Sequence, residues 1–427
     1  MSINIVLITL DCVRPDYLGC YGRKNVITPN IDSLASQGVL TERAYSHSSV
    51  TGPSLMSLFT SRLPFDHGVR FNGSGVRYKA SPVTGSLPVI AQILQKSDYR
   101  TAAFVGGYML NSRFGFNNGF EYYDDNMVSS RVEALVLRMF GYCKDWGGIK
   151  VKKFSRNANR LTDSAVKWLG STDKQDPFFL WLHYFDAHDQ YRLPQPLHYL
   201  YFRRRNYKQN VEFMDFHIGR LIDELKEKNL FENTLFVVTS DHGESLNDYQ
   251  FQGKDYHGHS MLAYDVTLRV PLVFCGPGIA RGIRSKQTFR HVDILPTLLS
   301  YLNISHKISE GFEGQNLLDT LRDGSVGDEP EIYAETLLPT AKKIPEPEWR
   351  VLIKWPWKYV LRTQSGQECL FNLEKDPYEK DDVFLPASKV AQEMKKRLQL
   401  MLERDKNFSM PDWDEEVQSA LEGLGYL

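Results

Sequence analysis

Cysteine is scarce in this chain. Five are present among 427 residues, Cys12, Cys20, Cys143, Cys275 and Cys369, and no two have CxxC spacing. They read as reduced thiols of a cytosolic protein, not as a disulfide framework or a zinc site. Excess charge is also lacking: the formal net charge is -1 and the pI about 6.8. No nucleic-acid or membrane-surface partner is expected from that balance. No run approaches the roughly 18 apolar residues of a membrane span. The N-terminus has no basic region or cleavage site before its first apolar run, so a signal peptide is not expected and the expected location is cytoplasmic. Internal repeats and low-complexity tracts are missing too. What remains is ordinary globular composition, 42% hydrophobic and 24% charged, in a chain long enough for a large core and two domains.

Three short apolar runs stop abruptly at carboxylates. They are NIVLITLD (Asn4–Asp11), FFLWLHYFD (Phe178–Asp186) and TLFVVTSD (Thr234–Asp241). Such runs suit strands buried on both faces of a parallel sheet. Ligands of open α/β sheets bind beyond the carboxyl ends of the strands. Asp11, Asp241-His242-Gly243 and Asp186-Ala187-His188 would then face one crevice, and acidic groups with imidazoles there suggest a divalent cation.

The intervening chain reads as helices, further strands and loops. Thr28 or Asn30 can cap a helix carrying Ile31, Leu34 and Ala35. In SHSSVTGPSLMSLFTSRLP, Pro53 suits the first turn of a helix, with Thr51 at or just before its N-cap. SLPVIAQILQKSDYR, Leu161–Leu169, Asn210–Lys228 and His291–Asn303 read as helices; TAAFVGG and Leu268–Phe274 read as strands. RVEALVLRMFGYC is a helix that packs on the domain or lines a substrate entrance. Arg203–Arg205 is a solvated loop or a handle for an anionic substrate. A boundary near Gly324–Pro330 separates residues 1–328, a catalytic α/β domain, from residues 329–427. There EIYAET, WKYVLRT and ECLFNL suggest a small antiparallel sheet closed by a helix over Ala387–Arg404.

Each chemistry-bearing residue has two readings at this stage. Thr51 is a common N-cap threonine, or an alcohol placed where backbone N–H groups favour an anion. Asp241-His242 is a satisfied core pair, or two ligands of one ion. His257 and His259, in YHGHS, are loop surface residues or site ligands.

Together the fragments resemble the sulfatase family of the alkaline-phosphatase superfamily. VLITLDCVRPDYLGCYG, TPNIDSLASQGV, TGPSLMSLFTSRLPFDHGV, PFFLWLHYFDAH, FVVTSDHGESLND, HSMLAYDVTLRVPLVFCGPGI, HVDILPTLL and LFNLEKDPYEKDDV follow in the family's order. The resemblance implies a mixed, mostly parallel central sheet flanked by helices and a smaller C-terminal α+β subdomain. It implies that Asp11, Asp241 and His242 hold one divalent metal ion. Oxygen ligands favour Ca²⁺, Mg²⁺ or Mn²⁺, and the imidazole keeps Zn²⁺ in play. It puts Thr51 at the nucleophile position, His188 and His259 where groups bind the transferred anion or protonate the leaving oxygen, and Asn72 in the pocket, with His257 as the substitute for His259.

Three departures stand out. The family signature Cys-x-Pro-x-Arg, whose Cys becomes formylglycine, is Thr51-Gly52-Pro53-Ser54-Leu55 here. The Asp-Asp pair that many members carry after the first strand is Asp11-Cys12. The expectation is a metal-dependent hydrolase of sulfate, phosphate or phosphonate esters, small molecules or glycans, acting through Thr51. The alternatives are a phosphotransferase acting on a glycan or lipid head group, and a non-catalytic homologue that binds anionic glycans.

Overall fold

The strands in chain order are β1 (Asn4–Leu10), β2 (Val39–Tyr45), β3 (Arg100–Val105), β4 (Tyr122–Asp124), β5 (Phe178–Tyr184), β6 (Thr234–Ser240), β7 (Ser245–Phe251), β8 (Lys254–Gly258), β9 (Arg269–Val270), β10 (Leu272–Cys275), β11 (Ile283–Arg290), β12 (Ile332–Thr336), β13 (Trp349–Lys354), β14 (Trp357–Arg362) and β15 (Gln367–Asn372). The longer helices are α1 (Pro29–Ser36), α2 (Thr51–Thr60), α3 (Ile90–Gln95), α4 (Ala158–Gly170), α5 (Tyr207–Glu227), α6 (His291–Tyr301), α7 (Leu318–Asp323) and α8 (Lys389–Leu402). These come from a computed structural model, which describes residues 3–73, 88–127, 155–171, 176–188, 205–251, 253–304, 311–337, 348–405 and 417–418. The segment RVEALVLRMFGYC, Arg203, Arg204 and the closing GLGYL lie outside the described residues.

The nine-stranded main sheet runs β11-β2-β10-β6-β1-β5-β3-β4, with β9 on β2. Its pairings are parallel except those of β10 and β9. The three apolar runs become its centre, and every residue of β1, β5 and β6 is buried. The reason is alternation within each run. Ile5 and Leu7 of β1 join the core under α2 and α6, with Leu55, Phe59, Ile294 and Leu298. Val6, Ile8 and Leu10 enter the opposite core with Ile31 of α1, Leu161 of α4 and Ile218 of α5. A strand covered by helices on both faces needs apolar residues at every position.

β12 to β15 form a separate antiparallel sheet in sequence order. It too is covered twice. Ala334, Val351, Val360 and Cys369 face the main core. Tyr333, Leu352, Tyr359 and Leu370 face α8.

Several expectations are corrected. Leu268–Phe274 is not one strand: Pro271 has no N–H for a ladder, and it separates β9, on β2, from β10, between β2 and β6. Tyr122–Asp124, for which sequence pattern gives no strand, is an edge strand beside β3. WRVLIK, overlooked in sequence, is β13. YHGHS is not a simple loop, since His257 belongs to β8 of a hairpin. No helix among the described residues is long and apolar enough to cross a membrane.

Candidate active site

The register of the main sheet fixes where the chemistry sits. Leu10 is level with Tyr184 of β5 and Ser240 of β6. The next residues, Asp11, Phe185 and Asp241, therefore leave the sheet together at its carboxyl edge. Asp11 is tied there by its N–H, which donates to the Tyr184 carbonyl at 2.8 Å. Asp241 Oδ1 accepts from the backbone N–H of Cys12 at 3.0 Å and of His242 at 2.8 Å. Asp11, Asp241 and His242 are fully buried, and one ligand atom from each lies within 4.8 Å of the others.

Thr51 is the first residue of α2, and Val50 is the N-cap. The expected cap position is thus corrected by one residue: Thr51 is inside the first turn. Its hydroxyl is buried and lies 3.4 Å from His242 Nε2. The helix start is wired to the β6 exit through Ser54, whose hydroxyl donates to the Asp241 carbonyl. Asn72 caps the same turn by accepting from the Gly52 N–H at 2.7 Å. The Asn72 side-chain amide nitrogen is buried without a hydrogen-bond partner. It is a donor at a helix N-terminus, where anions are favoured. Leu55, at the signature arginine position, packs in the apolar core.

The β7–β8 hairpin completes the cluster. Ser245 pairs with Gly258, so the flanking Glu244 and His259 meet, with Glu244 Oε2 3.3 Å from His259 Nδ1. The His259 ring lies 4.3 Å from His242 and 5.1 Å from His188, centre to centre. His188 stacks on Phe185 at 4.5 Å. Asp186 is drawn off to another task and accepts the Ala158 N–H at the start of α4, at 2.9 Å. His257 sits on β8 opposite Leu246 and is outside the convergent donor sets.

Two participants escaped the sequence reading. His183, inside the β5 run, places Nε2 3.1 Å from Asp11 Oδ2 and Nδ1 2.8 Å from the Thr9 hydroxyl. Trp181 Nε1 donates to that hydroxyl at 2.9 Å. Indole nitrogen can only donate, so the Thr9 hydroxyl oxygen accepts that bond, and the Thr9 contact holds the ring with Nε2 facing Asp11. The signal was an imidazole inside an otherwise apolar run. Glu244 is the other, visible only as the acid after Asp-His-Gly.

Charge and burial conflict here. Burial alone would raise the Asp11 carboxyl, but the His183 hydrogen bond and the neighbouring imidazoles hold it below the usual range. Burial and the Asp11 charge push Asp241 up to about 6, and burial pushes Glu244 up to about 7. Burial holds His188 down, to about 4. Asp241 and Asp11 raise His242 against the effect of its burial. Two carboxylates cannot share a dry site cheaply without a cation. Asp241 Oδ2 is buried and has no hydrogen bond. It lies 3.3 Å from His242 Nε2, and the donor set with that unbonded oxygen fits a divalent metal ion.

A mostly parallel sheet with such a cluster beyond its carboxyl edge, and a small antiparallel sheet behind, defines an α/β protein with a candidate metal centre at its strand ends. Similarity to known proteins narrows the class. The sulfatase profile matches residues 3–304, and the chain belongs to the sulfatase family. An arylsulfatase of Clostridium perfringens is 25% identical over 451 residues, covering 89% of each chain. The crystal structure of Ps i-CgsB in complex with k-i-k-neocarrahexaose aligns with a TM-score of 0.74 at 21% identity, over 100% of this chain and 98% of that one. The phosphonate monoester hydrolase of Agrobacterium radiobacter aligns with a TM-score of 0.71 at 19% identity, over 95% and 96%. The chain is a sulfatase-like hydrolase.

Proposed function

We propose that this hydrolase is metal-dependent and cleaves sulfate, phosphate or phosphonate esters through Thr51. The observation that carries the reading is the Thr51 hydroxyl at the start of α2, 3.4 Å from His242 Nε2, beside the Asp11–Asp241–His242 donor set. Asp11, Asp241 and His242 would hold Ca²⁺, Mg²⁺, Mn²⁺ or Zn²⁺. When bound, such an ion lowers the pKa of a neighbouring hydroxyl and neutralises charge on the non-bridging oxygens of the ester.

The chain's own groups supply the rest. Thr51 Oγ1 attacks sulfur or phosphorus in line and forms a threonine ester while the bond to the leaving oxygen breaks. The Gly52–Asn72 cap and the first turn of α2 stabilise the developing negative charge. His259 or His188 protonates the leaving oxygen. Glu244 faces His259 Nδ1, which orients the ring so that Nε2 serves the substrate. A formylglycine hydrate can release sulfate by collapsing to an aldehyde, but a threonine ester cannot. Water must therefore attack sulfur or phosphorus a second time.

That requirement favours a second reading, in which an acceptor alcohol replaces the water and the chain is a transferase onto a glycan or lipid head group. The oligosaccharide bound to the similar Ps i-CgsB structure supports a glycan ester as substrate. The test is a screen of aryl sulfate, phosphate monoester, phosphate diester and phosphonate monoester against the four ions, with and without an acceptor alcohol. Turnover of one ester class, abolished in Thr51→Ala, is expected. A metal-free protein inert on all four classes would leave anionic-glycan binding instead.

A further inference from the structure

Cys12 is the position at which this chain leaves the two-aspartate pattern, and its scattered sequence context gave no reason to read it as a ligand. The structure puts its sulfur inside the cluster. Cys12 is fully buried. Its Sγ lies 2.9 Å from Asp11 Oδ1 and 3.4 Å from His259 Nδ1. Two of the three convergent donor sets contain it, Cys12 with His242 and His259, and Cys12 with Asp11 and His188. The left-handed backbone at Cys12, φ +60°, is the turn that lets its N–H reach Asp241 while its side chain stays beside Asp11.

A second feature points to a ligand independently of the thiol. Asp241 is fully buried, and its Oδ2 accepts no hydrogen bond, with His242 Nε2 3.3 Å away as its charged neighbour. A buried carboxylate oxygen without a hydrogen bond is a costly arrangement that a cation relieves.

We infer that Cys12 is itself a metal ligand, its thiolate joining Asp11 and His242, with each of which it shares a convergent donor set, so that the centre prefers Zn²⁺ over Ca²⁺ and Mg²⁺. On binding, the S–H bond breaks, its proton passes to solvent, and a sulfur–metal bond forms; no electron is transferred. Thiolate is a soft donor that hard alkaline-earth ions accept poorly, whereas zinc takes mixed sulfur, nitrogen and oxygen ligands. This rests on reading the cluster as a metal centre.

The test uses the full chain stripped by chelator and reloaded with one equivalent of Zn²⁺ or Cd²⁺. X-ray absorption on the zinc-loaded wild-type protein should show one sulfur neighbour at about 2.3 Å. Cd²⁺ should raise a thiolate-to-metal charge-transfer band that is lost in Cys12→Ala. The absorption measurement needs no variant, so it decides the matter even where Cys12→Ala fails to fold. Stoichiometric metal bound through oxygen and nitrogen alone would overturn the role of Cys12 and leave the metal centre standing. Wild-type protein that binds no more metal than Asp241→Asn would overturn both.

Discussion

At the scale of single residues, the site is a set of buried charges held apart by hydrogen bonds. His183 is the least obvious of them. It has no direct approach to substrate in the proposed mechanism, yet it aims its Nε2 at Asp11, 3.1 Å away, and is itself aimed by Thr9. Groups that orient a metal ligand typically matter by about 10–100-fold in metal affinity. His183→Ala is therefore expected to weaken metal binding by about that factor in calorimetric titration of the stripped protein. Unchanged affinity would show that Asp11 needs no such support. Thr51→Ala should lower kcat by about 10³-fold or more, measured on the ester that the wild-type protein turns over. Asp11, Asp241 and His242 were legible in sequence because strand ends and an Asp-His-Gly turn advertise them. His183 was not, because a run buried on both faces hides the direction of each side chain. Glu244 was not, because only the pairing of Ser245 with Gly258 brings it to His259.

At the scale of elements, the exit of β6 is the critical joint. Gly243 donates its N–H to the Thr267 carbonyl at 3.0 Å, and a Cβ built on it would collide with the Val266 carbonyl. The third residue of Asp-His-Gly is therefore a packing requirement, which no side chain meets without moving backbone. Gly243→Ala is expected to cost about 1–3 kcal/mol or more in urea unfolding, and to weaken metal binding because Asp241 and His242 move with the strand end. A variant with wild-type stability would show that the joint is loose. The same reasoning explains which elements could be read from sequence. β1, β5 and β6 are apolar at nearly every position because helices cover both faces. β13 is buried on both faces as well, but Arg350 interrupts its apolar pattern. That arginine is buried in an ion pair with Glu335, 3.1 Å away, a partner 15 residues distant that pattern alone does not supply. β4 is three residues long and half exposed, too short for alternation to register.

At the scale of the whole molecule, the two sheets are joined by charge as well as by a shared core. Arg70, in the loop that leads on to Asn72, forms two hydrogen bonds to Glu335 of β12, at 2.7 and 2.5 Å, and two to Asp405 beyond α8, at 2.6 and 3.0 Å. Tyr333 donates to Glu335 Oε2 at 2.6 Å. Burial would raise the Glu335 carboxyl, but Arg70 and Arg350 hold it below the usual carboxylate range. A lowered carboxyl contributes stability above its unfolded value, near 4.5, and loses that contribution as pH falls through the folded value. Glu335→Gln is expected to cost about 3 kcal/mol at neutral pH, with the difference from wild type shrinking as the medium is acidified. A difference independent of pH would mean that packing, not charge, joins the sheets. This network also anchors the loop bearing Asn72 to the C-terminal sheet, so strain there is transmitted to the start of α2. What that start does chemically is the central claim, and trapping tests it most directly. The enzyme is quenched in acid during turnover of its best ester, digested, and the peptide containing Thr51 is weighed by mass spectrometry. The account predicts a sulfuryl or phosphoryl group on Thr51, missing from Thr51→Ala. Full turnover by Thr51→Ala, or the group carried on another residue, would contradict it.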